Sequence, residues 1–131
     1  MIWKKGGIFL EITAAKLRYL LTISELTQAQ KGKVRCIDVA VQLGVARPSA
    51  CRMLAAFSKE GLLSRSNAQG LRLTEAGCGL VSRYEADYQA LCRYFEERLK
   101  LPAFDARECA MALLASAPES SRRALCAKIS T

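Results

Sequence analysis

The sequence contains no histidine, and this absence removes several classes of protein at once. Without an imidazole there is no Ser-His or Cys-His pair for nucleophilic catalysis. No glycine-rich segment has the spacing of a phosphate-binding loop, and the carboxylates follow no catalytic spacing. We therefore expect a protein that is not an enzyme, with no cofactor and no small-molecule substrate that the sequence identifies.

Long apolar runs are also absent. No stretch approaches the roughly 20 residues that cross a bilayer, although 51% of the residues are hydrophobic, which is enough to form a core. The first twelve residues, MIWKKGGIFLEI, lack the long apolar segment and the cleavage site of a signal peptide. These features predict a cytoplasmic protein without membrane contact, built as one domain or as a small domain with a helical lobe.

The six cysteines form no Cys-x-x-Cys pair, and their spacing is irregular. With no histidine and no group of four thiolates, the sequence predicts no zinc site. Buried free thiols in a reducing compartment behave as small hydrophobic side chains. The alternative is thiol-based sensing, for which Cys92 and Cys109 are the candidates because both lie in the second half of the chain, where a signal would enter.

Residues 34–74 have the pattern of a winged helix-turn-helix. A short helix ends at Gly44, which tolerates the left-handed conformation that closes a helix. Pro48 falls in the first turn of a second helix, where its missing N–H is harmless, and Gly61 ends that helix. Two β-runs, LLSRS and LRLT, are joined by the turn residues 67–70. This order of elements is typical of proteins that place their second helix in a DNA major groove.

The positive charge lies in the same half of the chain. The net charge is +8, and residues 1–74 carry 12 basic and 4 acidic side chains, whereas residues 75–131 carry 8 of each. A basic surface can serve solubility alone. A basic excess that coincides with a helix-turn-helix and a wing is instead typical of phosphate contacts. We therefore expect double-stranded DNA as a partner.

The second half is predicted to be helical. Thr74 can cap a long helix that carries Glu75 in its first turn and continues to about Leu99. Pro102 interrupts the chain, and residues 105 to about 115 form a helix that is apolar nearly all round, so it must be buried.

The last helix is predicted to begin near Ser116 and Glu119, which have capping-box spacing, and to run to about Ile129. So much apolar surface without net charge predicts a homodimer, and two reading heads also suit a palindromic operator. A monomeric helical subdomain is the alternative. The candidate dimer contacts are Leu91, Phe95, Met111, Leu113 and Leu114.

The predicted fold class is mostly α with a small β-hairpin wing, a winged helix-turn-helix followed by a helical dimerisation lobe. We expect an N-terminal arm at 1–10, a winged-helix DNA-binding domain at 11–74, and a helical linker and dimerisation domain at 75–131. In the arm, Gly6-Gly7 favours flexibility, while the apolar side chains suggest that part of it docks. These side chains are Trp3, Ile8 and Phe9.

Three segments resemble the iron-dependent repressor family, the group of the diphtheria toxin repressor and the manganese transport regulators. They are RYLLTISEL (18–26), IDVAVQLGVARPSACRMLAAFSKEGLL (37–63) and LRLTEAG (71–77). The resemblance extends from about residue 12 to 129. It implies a homodimeric transcriptional regulator, and specifically a repressor. MarR-type regulators share the motif after the wing and are an alternative, but the first-helix motif and the helical tail favour the iron-dependent group.

The resemblance also marks the positions where the family binds its metal, and the ligands are missing there. The matching positions hold Arg18, Leu21, Tyr88, Leu113 and Leu114. A cation opposes a divalent metal, and hydrophobic side chains cannot ligate one. Only Cys109 or Met111 could remain as a soft ligand. We therefore expect a regulator that does not depend on manganese or iron.

The second helix supplies the candidate base contacts. Arg52 can bind guanine O6 and N7 with two hydrogen bonds. Ser49 and Pro48 match family positions that approach bases, and Arg47 can reach a base or a phosphate. The candidate phosphate contacts are Lys59, Arg65 and Arg72. A different interpretation is a winged helix used for protein contacts, which would give the arm around Trp3 a role.

Overall fold

The structure is a computed structural model that describes residues 2–5, 8–11, 13–30 and 32–130, the first two ranges as backbone alone. Most of the described chain is helical, and the predicted fold class is confirmed. None of the described helices is long and apolar enough to span a membrane. The elements in chain order are β1 (Ile2–Lys5), β2 (Ile8–Glu11), α1 (Ala14–Ala29), α2 (Cys36–Leu43), α3 (Arg47–Lys59), β3 (Leu63–Ser66), β4 (Gly70–Leu73), α4 (Glu75–Glu97), α5 (Ala103–Ser116) and α6 (Glu119–Ile129).

The chain forms two compact units. The first, which we call the head, is Arg18–Ser82, and the second, the lobe, is Met1–Leu17 with Arg83–Thr131. The chain passes between them within α1, after Leu17, and within α4, after Ser82, whereas the sequence places the boundaries after residues 10 and 74. The second difference arises because α4 runs unbroken from the wing into the lobe, so the start of that helix does not mark the end of the first unit.

The head is closed around two aromatic rings. Tyr19 of α1 meets Phe57 of α3 edge to face, with 5.9 Å between the ring centroids. The helix ends lie where the sequence predicts them. Gly44 has φ +70° after α2, Pro48 is the second residue of α3, and Gly61 has φ +79° after it.

The wing is the antiparallel pair β3–β4, which runs from Leu63 opposite Leu73 to Ser66 opposite Gly70. Gly70 has φ +72°, and a Cβ there would lie 2.6 Å from the carbonyl oxygen of Val34. That carbonyl accepts a hydrogen bond of 2.8 Å from the backbone N–H of Leu71. Glycine is therefore required where the wing meets the segment before α2.

The Leu-Thr-x-x-Gly sequence after the wing has a structural explanation. The hydroxyl of Thr74 accepts a hydrogen bond of 3.1 Å from the N–H of Gly77 and donates one of 2.5 Å to the carbonyl of Gly61. The predicted cap of α4 is thus confirmed. A Cβ on Gly77 would collide with the carbonyl oxygen of Leu62, so this turn of α4 packs directly on the backbone that enters the wing.

The lobe differs from the sequence prediction at both of its ends. The region expected to be a loose arm contains the antiparallel hairpin β1–β2, with Ile2 opposite Glu11. The predicted flexibility of Gly6-Gly7 lies outside the described residues, as do the side chains expected to dock, which are those of Trp3, Ile8 and Phe9.

The capping box predicted before the last helix is wrong. Ser116 is the final residue of α5, and Pro118 occupies the N-cap position of α6 without a side-chain hydrogen bond. Pro118 has φ −58°, a value that its ring imposes and that suits the entrance to a helix. The α6 helix therefore begins at Glu119.

Candidate nucleic-acid interface

Helix α3 buries one side and exposes the other. Ala50, Leu54 and Phe57 are fully buried, and they recur at the spacing of one helical face. Of the predicted base contacts, Arg47, Pro48 and Arg52 are exposed and Ser49 is half-buried. The helix therefore presents a short polar edge at its N-terminal end, outside the core of the head.

Two side chains of this edge are already in contact. Nη2 of Arg52 donates a hydrogen bond of 3.4 Å to the hydroxyl of Ser49, one turn earlier. Lys59, by contrast, is the last residue of α3, about 18 Å along the helix axis from Arg47 at 1.5 Å per residue. The structure thus brings together the candidates at the start of α3 and leaves Lys59 at a separate position.

The two wing arginines lie on opposite faces of the hairpin. Arg65 pairs with Leu71, and Arg72 pairs with Ser64 in the next position. Because directly opposite residues share a face and successive residues alternate, the two guanidinium groups point in different directions. Arg65 and Arg47 are both close enough to act electrostatically on the thiol of Cys36. Arg65 therefore belongs with the start of α3, and Arg72 does not.

Arg72 instead lines an open groove of about 400 Å³ beside the wing, together with Lys33 and Gln69. Lys33, which sequence reasoning missed, donates a hydrogen bond of 2.6 Å from its ammonium group to the carbonyl of Asn67 in the wing turn. The pairing of Val34 with Gly70 places this lysine beside the turn. No local pattern in the sequence predicts this contact, because Lys33 and Asn67 are 34 positions apart.

The cations of this surface are free of acidic partners. Within the described ranges, no carboxylate forms an ion pair with the five exposed cations of α3 and the wing, which are Arg47, Arg52, Lys59, Arg65 and Arg72. The nearby Asp38 is engaged elsewhere, because its carboxylate accepts a hydrogen bond of 2.8 Å from the backbone N–H of Arg35 at the start of α2. These positive charges are therefore available to an external anion.

The side chains do not fit a manganese or ferrous ion. In the part of the chain that the structure describes, no three His, Cys, Asp or Glu side chains converge as a metal site would need. The positions assigned by the resemblance carry a guanidinium, a phenol and three leucines, none of which suits a hard divalent cation. Of the candidate sensors, Cys109 is exposed and Cys92 is half-buried.

The predicted dimer contacts are largely used within one protomer. Leu91, Met111 and Leu114 are at most 2% exposed in the single chain, so a second copy cannot reach them. Phe95 and Leu113 are half-buried. Among the lobe side chains that the structure describes, the large apolar ones that are exposed are Leu99 at 52%, Phe104 at 69% and Leu125 at 37%.

The fold is similar to those of solved transcriptional regulators. The manganese regulator SloR matches with a TM-score of 0.75 at 20% identity, over 92% of this chain and 55% of SloR. The metal-dependent transcriptional regulator MtsR matches with a TM-score of 0.72 at 17% identity, over 87% of this chain and 53% of MtsR. A hypothetical protein from Sulfolobus solfataricus matches with a TM-score of 0.61 at 16% identity, over 90% and 89%.

These matches confirm the resemblance that the sequence shows, at the level of the fold. This chain spans about half the length of SloR and MtsR. No protein-family model matches the sequence, and no curated protein is similar enough in sequence to count as a relative.

Proposed function

We propose that this chain is a transcriptional regulator that binds specific sites on double-stranded DNA and acts as a repressor. The observation that carries the proposal is the set of exposed cations on α3 and the wing, none of which has an acidic partner among the residues that the structure describes. These cations stand on a fold that the chain shares with MtsR, a metal-dependent transcriptional regulator. Binding to chromosomal DNA would place the protein in the cytoplasm.

In this proposal the N-terminal end of α3 enters the major groove. Arg52 reads a guanine through its O6 and N7 atoms. The hydrogen bond from Arg52 to Ser49 limits the rotamers of the long side chain, so less conformational entropy is lost when the base is bound. Pro48 offers its ring to a thymine methyl group, and Arg47 reaches a base or the adjacent phosphate.

The wing and the end of α3 contact the backbone. Arg65 is the stronger of the two wing candidates, because its electrostatic effect on Cys36 is shared with Arg47 at the start of α3. Arg72 lies on the other face of the hairpin and would contact a phosphate farther from the bases. Lys59 serves a phosphate beside the C-terminal end of α3. Contacts of this kind position the protein without reading sequence.

The regulator works as a homodimer in this proposal. Leu99, Phe104 and Leu125 are exposed in the lobe, and a second copy that covered them would remove apolar surface from water. Phe95 and Leu113 can contribute at its margin. An obligate interface usually buries more than about 2,000 Å². Two heads related by a two-fold axis would then bind half-sites about one helical turn apart.

DNA binding by this chain does not depend on manganese or ferrous iron. The support is chemical: Arg18 is positively charged, and the leucines at the other matched positions have no donor atom. DNA binding and metal independence can be tested separately, because they rest on different observations. The first rests on the cations of the head and the second on the missing ligands.

Selection of bound fragments from a random pool of duplex DNA tests the proposal. We expect enrichment of a palindrome whose half-sites contain a guanine, and loss of preference at that guanine with Arg52→Ala. A pool that is not enriched above the level of a protein without DNA affinity would contradict the proposal and favour a winged helix that contacts proteins. Enrichment of an unpaired half-site would contradict the dimer.

A further inference from the structure

Two cysteines meet between the helices of the helix-turn-helix. Cys36 is the first residue of α2, and Cys51 lies in the second turn of α3. Their sulfur atoms are 2.7 Å apart, and both residues are half-buried. This pair was not among the sensor candidates taken from the sequence, because its members are separated by 15 positions and form no recognisable spacing.

The geometry points to a covalent role. A disulfide bond is about 2.05 Å long, so the two sulfurs need to approach by less than about 1 Å to bond. We propose that Cys36 and Cys51 are a redox-active dithiol that an anionic small-molecule disulfide oxidises to an intramolecular disulfide, and that this bond holds α2 and α3 in the DNA-reading arrangement. The DNA-reading role of the bond rests on the proposed function, whereas the oxidation of the two cysteines does not.

The charges around the pair select the chemical class of oxidant. Arg47 and Arg65 both act electrostatically on Cys36, and both are exposed. Oxidised glutathione carries carboxylates, so these guanidinium groups raise its local concentration near the sulfurs. A cationic disulfide of similar size would be repelled by the same two groups, so we expect it to form the bond more slowly at equal concentration.

The reaction is two successive thiol–disulfide exchanges. Burial and the neighbouring Cys51 sulfur raise the pKa of Cys36 to about 11, so Cys36 keeps its proton at neutral pH. Cys51 loses its proton, attacks one sulfur of oxidised glutathione and forms a mixed disulfide, and the glutathione thiolate that leaves takes up a proton. Cys36 then loses its proton, attacks the Cys51 sulfur of the mixed disulfide, and releases the second glutathione. The protein gives up two electrons and two protons, and glutathione disulfide becomes two thiols.

The bond should brace the head rather than distort it. It would link two helices across a short loop, which removes conformational freedom from the unfolded chain. Because the sulfurs move by less than about 1 Å, α3 keeps its position and its exposed edge. We therefore expect the oxidised protein to melt at least about 5 °C higher and to bind DNA with an affinity within about threefold of that of the reduced protein.

The test uses the full chain with oxidised glutathione. After a time course, free thiols are alkylated and the unreduced protein is digested and mapped by mass spectrometry. We expect a cross-linked Cys36–Cys51 peptide in monomeric chains, lighter by two hydrogens, as the main early product. Cys36→Ser and Cys51→Ser should each abolish it, and Cys78→Ser, a change at an exposed cysteine, should not. Recovery of both Cys36 and Cys51 as alkylated or separately glutathionylated peptides, under conditions that modify Cys78, would overturn the proposal without any variant.

A second measurement separates the effect of the disulfide on stability and DNA affinity from the formation of the disulfide itself. The wild-type protein is compared in its mapped reduced and oxidised states for melting temperature and for affinity to a selected DNA site. A bonded protein that loses more than threefold in affinity, or that melts no higher, would overturn the bracing role. A protein that forms the bond but binds no DNA in either state would contradict the proposed function and leave the dithiol standing.

Discussion

Two arginines, one in each unit of this molecule, have opposite surroundings. In the lobe, Arg122 is 3% exposed, and its Nε donates a hydrogen bond of 2.9 Å to the carboxylate of Asp87. Its guanidinium carbon lies 4.6 Å from the centre of the Tyr84 ring. In the head, Arg52 is exposed and contacts only a serine among the described residues. A guanidinium satisfied inside the protein contributes to its stability, whereas an exposed one remains available for an anion.

The lobe shows the same contrast within itself. Glu119 lies 3.9 Å from Arg83 and 3.7 Å from Arg123, and all three side chains are well exposed. Exposed pairs of this kind contribute little to stability. The Asp87–Arg122 pair is different because few water molecules can replace a lost partner there. Burial and Asp87 also raise the pKa of the nearby Cys126 thiol to about 11.

The largest effect should come from breaking the buried pair. Arg122→Ala leaves the carboxylate of Asp87 without its partner, and we expect a loss of about 3–5 kcal/mol in the free energy of unfolding, measured by urea denaturation. Arg122→Lys should not restore it, because an ammonium cannot reproduce the planar contact with the Tyr84 ring. Arg123→Ala, at an exposed neighbour, is the matched control and should cost less than about 1 kcal/mol. Equal losses for the two alanine variants would remove the distinction between the pairs.

The next effect concerns the head and should leave stability untouched. Arg52→Ala is expected to weaken specific DNA binding by about 1–3 kcal/mol and to relax the preference at one base pair per half-site. Titrations with a selected operator and its single-base variants measure both quantities, and urea denaturation shows that folding is unchanged. An Arg52→Ala protein that loses affinity equally for all sequences would mean that Arg52 contacts the backbone.

A smaller effect should distinguish the two faces of the wing. Arg65→Ala removes one phosphate contact from each head of the dimer, so it should weaken binding to all sequences alike and make the slope of log K against log salt shallower by about two. Arg72→Ala, on the opposite face, should change the slope by less. If Arg72→Ala has the larger effect on the slope, the face of the wing that contacts DNA is the one beside the groove lined by Arg72 and Lys33.

We expect manganese and ferrous iron to leave the affinity for operator DNA unchanged. The matched positions hold a cationic guanidinium, a phenol and three leucines, a set that does not suit a hard divalent ion. Titration of either ion into chelator-treated protein should therefore leave operator affinity within about twofold. A stoichiometric binding isotherm accompanied by a tenfold or greater rise in affinity would show that other residues of this chain form a metal site.

The parts of the fold that the sequence predicts well are those with local causes. Gly44 and Gly61 take positive φ values, Pro48 enters the first turn of α3, and Thr74 caps α4. Each effect acts within a few residues, so the sequence alone identifies it. Ser116 shows the limit of this reasoning, because its spacing to Glu119 suits a cap but α5 continues through it.

The rest depends on contacts between distant residues. The hydrogen bond from Lys33 to Asn67 spans 34 positions, and the Cys36–Cys51 contact spans 15. Neither leaves a periodic signal in the sequence. An apolar pattern also shows that a residue is buried but not by which surface. The sequence pattern therefore predicts a dimer contact at Leu91 and Leu114, although each is covered within its own chain.

The salt dependence of DNA affinity tests most directly whether the exposed cations of α3 and the wing contact DNA phosphates. If the exposed cations of two heads neutralise about six phosphates, the slope of log K against log salt should be near −5. The measurement uses the full chain and a selected operator between about 50 and 200 mM salt, with Arg123→Ala as a control in which a lobe cation is removed and the slope is unchanged. A slope shallower than about −2 would contradict this claim, because the exposed cations of α3 and the wing would then contact few phosphates.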